Sequence, residues 1–221
     1  MTTYALIHGA GDVGWYWHLV ERELRAKGHD VVAPDLPLDD ESASFNDYAN
    51  TVVSALGDRT DDVVVVGMSF GAYTAPIVAE RIGARHIVLV APMVAHPGES
   101  PSGMFEATGY QQDPQEDPSD LAVFYHDVPE DLGREALSRG RDQAGSTWKE
   151  PWPLPVWPNV PVTAIIGRND RLFPVSWLRT VIQDRLGITP IEIESGHCLA
   201  LSQPVEVATI LDGLRSPTTA P

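Results

Sequence analysis

The feature that most constrains the fold is the segment Val63–Gly71, in which four consecutive valines lead directly into a Gly-x-Ser-x-Gly pattern. Consecutive β-branched residues are typical of a strand that is buried on both faces. Gly67 and Gly71 permit a turn that is too tight for a larger side chain, and a run of small, helix-compatible residues begins at Ala72. The segment therefore predicts a buried strand, a sharp turn that carries Ser69, and a helix.

A serine on such a turn stands exposed above the end of the sheet, where its hydroxyl can act as a nucleophile. The backbone N–H of Phe70 would then point, from a helix N-terminus, to the place where a negatively charged oxygen forms. The same pattern also arises by chance, and its alternative interpretation is a glycine-rich turn whose serine only caps the helix. The readable strand before Ser69 and the helix after it favour the nucleophile.

Strands and helices alternate along most of the chain. Hydrophobic runs predict further strands at 3–8, 31–33, 86–90, 162–167 and 188–194. Helical patterns end near residue 27 and lie at 44–56, 72–82, 176–186 and 205–214. Alternation at this spacing predicts an α/β fold, with a mainly parallel sheet of about six strands and helices on both faces. The tail, residues 216–221, is predicted to be disordered.

One segment interrupts the alternation. Of the 19 prolines, 11 lie between Pro92 and Pro161, together with three of the six tryptophans. Short helical patterns occur within it at 119–125 and 131–145. An insertion of this kind in a compact α/β chain is usually a lid or a binding segment, although a proline-stiffened surface loop is the alternative. We therefore predict a single domain, residues 1–221, that contains a lid insertion at residues 97–158.

Three residues of complementary chemistry each follow a predicted strand, namely Ser69, Asp170 and His197. In an open parallel sheet, ligands bind at the carboxyl ends of the strands, so these residues share one edge. A serine hydroxyl needs an imidazole to accept its proton, and a carboxylate to orient that imidazole. We predict Ser69 as nucleophile, His197 as base and Asp170 as the orienting acid. Asp35, which also follows a strand, and Asn169 are the alternatives to Asp170.

The loop after the first strand supplies flexible backbone beside the turn. Its sequence is Gly9-Ala10-Gly11, and we predict that the backbone N–H groups of Ala10 and Phe70 bind the oxyanion. His8 is predicted to order this loop through hydrogen bonds of its side chain. Cys198, which adjoins the predicted base, is predicted to be a packed, small apolar residue.

Charge and composition limit the partners. The formal net charge of −16 argues against nucleic acid and anionic membranes, because both would repel the chain. The single cysteine excludes an intramolecular disulfide, and no apolar run reaches the roughly 20 residues of a membrane span. No spacing of histidine, cysteine and carboxylate residues resembles a metal site. We expect a cytoplasmic protein that uses neither a metal nor a cofactor, and the sequence leaves its oligomeric state open.

A competing motif overlaps the first loop. Residues 9–14 match G-x-G-x-x-G after a strand, with Gly9, Gly11 and Gly14 as the glycines. Asp35 ends the next strand about 20 residues further on, as in a dinucleotide-binding fingerprint. An NAD-dependent oxidoreductase is therefore an alternative interpretation. The bulky residues 15–17 weigh against it, because the glycine-rich turn requires close helix packing, and it leaves the other three candidate residues unexplained.

With these residues assembled, the chain resembles the α/β-hydrolase superfamily across nearly its full length. The matching residues are His8-Gly9, Gly67–Gly71, Gly167-x-x-Asp170 and Gly196-His197. The stretches 15–18, 28–36 and 44–48 are more specifically similar to the branch of plant methylesterases and hydroxynitrile lyases.

The resemblance implies a six-stranded parallel sheet and a serine hydrolase. Such an enzyme cleaves a small carboxylic ester, a thioester or a lactone through an acyl-enzyme on Ser69, without a cofactor. The lyases of the branch have a lysine where this chain has Cys198, and this difference argues against lyase activity. A binding protein without catalytic activity on the same fold remains the alternative. Apolar and aromatic residues in the insertion suggest a substrate with an apolar acyl or ring group: Met104, Phe105, Leu121, Phe124, Tyr125 and Trp148.

Overall fold

The computed structural model describes residues 1–214, so the predicted tail at 216–221 lies outside the described residues. The strands are β1 (Thr3–Ile7), β2 (Asp30–Val32), β3 (Val63–Met68), β4 (His86–Val90), β5 (Val162–Gly167) and β6 (Ile191–Ile193). They form one sheet in the order β2-β1-β3-β4-β5-β6, and every neighbouring pair is parallel. The predicted α/β fold with a parallel sheet of six strands is confirmed.

The helices pack on both faces of this sheet. They are α1 (His18–Ala26), α2 (Phe45–Leu56), α3 (Ala75–Ile82), α4 (Pro101–Thr108), α5 (Asp120–Phe124), α6 (Glu130–Arg139), α7 (Gly145–Lys149), α8 (Val175–Leu186), α9 (Leu199–Ser202) and α10 (Pro204–Gly213). The apolar sides of α1, α9 and α10 belong to one core, and those of α2, α3 and α8 belong to a second. No helix within residues 1–214 combines the length and the apolar character that crossing a membrane requires.

The two cores explain the run of valines that defines the sequence. Val64 and Val66 pack into one core, whereas Val63 and Val65 pack into the other. Successive side chains of a strand point to opposite faces, so a strand with helices on both sides must be apolar at every position. β3 satisfies this requirement and lies between β1 and β4 in the interior of the sheet.

Several boundaries differ from those that the sequence predicted. β6 is shorter than 188–194, because Pro190 precedes it and proline has no N–H to donate to a neighbouring strand. The helix after Ser69 begins at Ala75, since Ser69–Ala72 forms a 3-10 helix first. The helical pattern at 131–145 corresponds to α6, which ends at Arg139, and α7 begins at Gly145.

Helix α4 was not predicted, although its sequence contains a recognisable start. The side chain of Ser100 accepts a hydrogen bond from the N–H of Gly103 at 3.1 Å, and Pro101 occupies the first helical position. Serine before a helix and proline in its first turn are both favoured, because proline has no N–H to leave unpaired there.

Gly71 allows the turn after β3 to approach the end of β1. A Cβ atom at this position would overlap the carbonyl oxygen of His8 and would lie 2.9 Å from that of Ile7. Both are backbone atoms, so relief would require a shift of the strand end itself. We expect Gly71→Ala to lower the free energy of unfolding by about 3 kcal/mol, as measured by denaturant titration.

Gly213→Ala is the matched control for this substitution. Among residues 1–214, no atom would lie within 4 Å of a Cβ at Gly213, and the residue ends helix α10. We expect its effect on the free energy of unfolding to stay within about 0.5 kcal/mol. Equal effects of the two substitutions would contradict the close approach at Gly71.

Candidate active site

Ser69 occupies the sharp turn that the sequence predicted at the end of β3. Its φ angle is 50°, which is uncommon for a residue with a side chain. The flanking glycines make the turn possible, because a Cβ at Gly67 would lie 2.7 Å from the carbonyl oxygen of Gly71 and 2.8 Å from the Cβ of Ala75. The turn therefore holds Ser69 at the carboxyl edge of the sheet.

The structure brings Ser69, Asp170 and His197 together, although they follow three different strands. His197 Nδ1 lies 2.8 Å from Asp170 Oδ2, and His197 Nε2 lies 3.2 Å from Ser69 Oγ. A carboxylate oxygen can only accept, so the proton of the imidazole belongs on Nδ1. Nε2 is then unprotonated and accepts the hydrogen bond that the Ser69 hydroxyl donates. All three residues are largely buried.

The carboxylate of Asp170 is fixed by its own loop. Its Oδ1 accepts hydrogen bonds from the N–H groups of Leu172 and Phe173, at 2.8 and 2.9 Å. The ring of Phe173 also stands edge-on to the imidazole of His197, with 5.1 Å between centroids. Oδ2 is thereby left to face the imidazole.

The two alternatives to Asp170 lie elsewhere. Asn169 donates its backbone N–H to the carbonyl of Ser195 at 2.9 Å, and its side chain reaches Glu194 rather than His197. Asp35 Oδ1 accepts from the N–H of Gly14 at 2.8 Å, and Oδ2 pairs with Arg141 at 3.0 Å. Asp170 is therefore the carboxylate that contacts His197.

The contacts of Asp35 also bear on the dinucleotide interpretation. That interpretation requires a carboxylate free to bind a ribose, but both oxygens of Asp35 are already engaged within the protein. A Cβ at Gly14 would overlap the carbonyl of Ala33, so this glycine serves the packing of the loop against the chain after β2. Among residues 1–214, no group of three histidine, cysteine or carboxylate side chains is placed to hold a metal ion.

The first loop lies beside Ser69, as predicted. A Cβ at Gly9 would be 3.3 Å from the Cβ of Ser69. The backbone N–H of Ala10 makes no hydrogen bond with any residue that the structure describes. Phe70 is the second residue of a 3-10 helix, where an N–H group has no partner within the helix. Both N–H groups are thus available to a ligand.

His8 orders this loop, as the sequence suggested. Its Nδ1 lies 3.0 Å from the carbonyl oxygen of Gly9, and its Nε2 accepts the N–H of Leu36 at 3.0 Å. Burial lowers the pKa of His8 to about 4, so the ring is neutral at physiological pH and can both donate and accept. It links the first loop to the chain that follows β2.

A cavity of about 410 Å³ opens above Ser69. Seven phenylalanine, tyrosine and tryptophan residues line it: Phe70, Phe105, Tyr110, Phe124, Tyr125, Trp148 and Phe173. All of them except Phe70 and Phe173 come from the segment 97–158. Two of the apolar residues expected at a pocket do not line this cavity. Met104 is fully buried in the core, and Leu121, within α5, packs against the core that contains α1, α9 and α10.

Two residues of segment 97–158 hold the loops that carry Asp170 and His197, and sequence reasoning missed this. Asp127 Oδ2 accepts the N–H of Gly196 at 2.6 Å. His126 Nε2 donates to the carbonyl oxygen of Asn169 at 2.9 Å. Each contact lies one residue before a member of the site. The local sequence gives no sign of these contacts, because they depend on how the segment folds back on the sheet.

Cys198 is buried next to His197 and lines the cavity. Burial raises the pKa of its thiol, which therefore stays uncharged. The prediction of a packed, small apolar residue agrees with this environment.

Comparisons with known proteins identify related sequences. Residues 5–210 match the Alpha/beta hydrolase family. Methylesterase 7 of Arabidopsis thaliana is 30% identical over 115 residues, which cover 47% of this chain and 44% of the relative. A carbendazim hydrolyzing esterase of Nocardioides sp. is 29% identical over 110 residues, which cover 45% and 46%. The chain thus spans about half the length of the curated relatives it matches.

Solved structures share the fold over almost the whole chain. Polyneuridine aldehyde esterase has a TM-score of 0.81 at 21% identity, with 97% of this chain and 99% of that chain covered. The methylesterase MES16 from Arabidopsis has a TM-score of 0.79 at 19% identity, with 96% and 98% covered. An extracellular α/β-hydrolase from a Paenibacillus species reaches 0.81 at 16% identity, with 98% and 100% covered. The methylesterases lie in the branch that the sequence motifs indicated.

Proposed function

Since the chain belongs to the alpha/beta hydrolase family, we propose that it is a serine hydrolase that cleaves a small carboxylic ester, thioester or lactone. The observation that carries the proposal is the hydrogen-bonded series from Ser69 through His197 to Asp170 at the floor of a cavity. Esterase activity in the named relatives supports the choice of reaction.

The first step is attack by Ser69 Oγ on the carbonyl carbon of the bound ester. His197 Nε2 takes the hydroxyl proton across the 3.2 Å hydrogen bond as the new bond forms. The imidazolium that results is stabilised by Asp170, whose charge is held 2.8 Å from Nδ1. His197 then gives the proton to the departing alcohol, which leaves an acyl group on Ser69.

The negative charge on the carbonyl oxygen is the second requirement. The N–H groups of Ala10 and Phe70 flank Ser69 and would donate to this oxygen. Removal of one such donor typically costs about 10²–10³ in kcat. Water activated by His197 then attacks the acyl carbon, and the acid is released with the enzyme restored.

The cavity wall supports a substrate with an apolar acyl or ring group. Aromatic side chains dominate the wall, and burial of apolar surface against them contributes about 25 cal/mol per Å². Because the segment 97–158 supplies most of these side chains, we propose that it acts as the lid of a single domain.

A cytoplasmic location is proposed on the single cysteine alone.

Labelling with a fluorophosphonate probe tests the proposal. We expect the purified protein to be labelled at Ser69, as located by peptide mass spectrometry, and to lose ester hydrolysis in proportion to the labelling. Heat-denatured protein is the control and should not react, because the reaction needs the activated serine. Native protein that hydrolyses esters but labels at another residue would overturn the assignment. Failure to label together with binding of NADH would favour the oxidoreductase instead.

A further inference from the structure

The cavity contains a carboxyl group that the reaction described above does not use. Asp12 follows the first loop and lines the cavity together with Ser69 and His197. It is only partly exposed, and its side chain makes no hydrogen bond or ion pair with any residue in the range 1–214. A carboxyl group that is partly withdrawn from water and has no partner in the protein is available to a ligand that enters the cavity.

Three other acidic side chains around the site bind groups of the protein. Asp170 accepts two backbone N–H groups and faces His197. Asp127 holds the N–H of Gly196, and Asp35 holds that of Gly14. Asp12 differs from them because its possible partners lie in the cavity and not in the protein.

The rest of the cavity wall suits a positive charge. Asp120 is a second carboxylate on the wall, and it is exposed at the start of α5. No lysine or arginine among the described residues lines the cavity. Aromatic faces attract organic cations through their negative π-electron density, and they do so more strongly when water is excluded. The net charge of −16 would also attract a cationic substrate to the protein.

We propose that the substrate carries an organic ammonium group, and that Asp12 is the counter-ion that selects it. This inference rests on the proposed function, since it names the class of ester that the Ser69 site takes. The ammonium group lies against the aromatic wall, with Asp12 as its charged partner, while the ester carbonyl reaches Ser69. The carboxylates of Asp12 and Asp120 repel anionic esters and so exclude them.

The inference also predicts that the preference for a cationic ester depends on pH. Burial raises the pKa of Asp12 to about 7, and the neighbouring His197 opposes this shift. The other titratable groups near it, Tyr16, Tyr125 and Cys198, have raised pKa values and stay neutral. Asp12 is thus protonated below about pH 7 and ionised above it. Preference for a cationic ester should therefore increase as the pH rises through this range.

Matched ester pairs measure the preference directly. In one pair the alcohol carries a trimethylammonium group or, in its place, an uncharged tert-butyl group. In the second pair the same groups end the acyl chain. The quantity compared is the ratio of kcat/KM for the cationic ester to that for its neutral partner. The protonation of His197 and any loss of active protein change kcat/KM equally for both members of a pair. Both effects therefore cancel from the ratio.

We expect the wild-type ratio to exceed about ten at pH 8 in at least one pair and to fall as the pH is lowered to 6. Asp12→Asn should reduce that ratio by about tenfold and remove its change with pH. Asp184→Asn is the matched control, because it removes one exposed negative charge on α8, outside the cavity, and should leave the ratio unchanged. A ratio near one in both pairs, or a ratio that Asp12→Asn does not alter, overturns the inference.

A binding measurement separates this inference from the proposed function. Phenyltrimethylammonium, which cannot be hydrolysed, is titrated into the wild type and into Asp12→Asn by calorimetry. We expect Asp12→Asn to raise its Kd by about tenfold. Absence of binding to the wild type, or equal Kd values, overturns the cation site. If none of the esters is cleaved while phenyltrimethylammonium binds through Asp12, the proposed function fails and the cation site stands.

Discussion

Replacement of Ser69 by alanine is expected to lower kcat for ester hydrolysis by about 10⁶-fold, as is typical when a triad loses its nucleophile. The cavity, the oxyanion donors and the base would all remain, but no acyl-enzyme could form. Only the weaker effects of binding and of charge stabilisation would then accelerate attack by water. The measurement is single-turnover and steady-state hydrolysis of the best ester found for the wild type.

The controls for this substitution separate chemistry from folding. Ser54→Ala removes an exposed hydroxyl on α2 and should keep full activity. Ser69→Ala should keep the wild-type free energy of unfolding to within about 1 kcal/mol, because the methyl group occupies less space than the side chain it replaces. Retention of more than about a hundredth of the wild-type rate would contradict the assignment of Ser69 as nucleophile.

The sequence was sufficient to predict the fold and to name Ser69, Asp170 and His197 as candidates, with Asp35 and Asn169 as alternatives to Asp170. The valine run of β3 requires burial on both faces, and the two glycines after it permit little except a sharp turn. Both are local constraints, which is why they can be inferred without the structure. The side chains of Asp170 and His197 could be placed because parallel strands bring their carboxyl ends to one edge.

The choice between Asp35 and Asp170 shows where such reasoning depends on topology. Both residues follow a strand, so their local patterns are alike. In the sheet, β5 and β6 are neighbours, whereas β2 lies at the opposite edge beyond β1 and β3. Asp170 and His197 therefore come from adjacent strand ends, while Asp35 is too far across the sheet to contact the imidazole.

The contacts of segment 97–158 could not be inferred from its sequence. Asp127 accepts the N–H of Gly196 although the two residues are 69 positions apart in the sequence. The contact forms because the segment folds over the sheet. The unpartnered state of Asp12 is likewise a property of the assembled cavity. In the sequence this residue appeared only as an unspecified position within a glycine-rich motif.

Asp170→Asn is expected to lower kcat by about 10⁴-fold while it preserves the shape of the site. The reason lies in the two N–H groups of Leu172 and Phe173, which donate to Oδ1 at 2.8 and 2.9 Å. An amide placed here keeps its oxygen toward these donors, so its NH₂ group faces His197. That group would donate to Nδ1 and thus force the imidazole proton onto Nε2. A protonated Nε2 cannot accept the proton of Ser69, and the nucleophile is lost although every atom is in position.

Asp35→Asn is the matched comparison, since Asp35 also follows a strand and also accepts a backbone N–H group. We expect it to retain activity to within about tenfold of the wild type, because it has no contact with the imidazole. Both variants should be assayed for kcat and for the rate of fluorophosphonate labelling, which reports the reactivity of Ser69 without release of product. Asp170→Asn should slow both in parallel. If it slowed neither by more than tenfold, or if Asp35→Asn had the same effect, the forced tautomer would be refuted and the orienting carboxylate would have to be sought elsewhere.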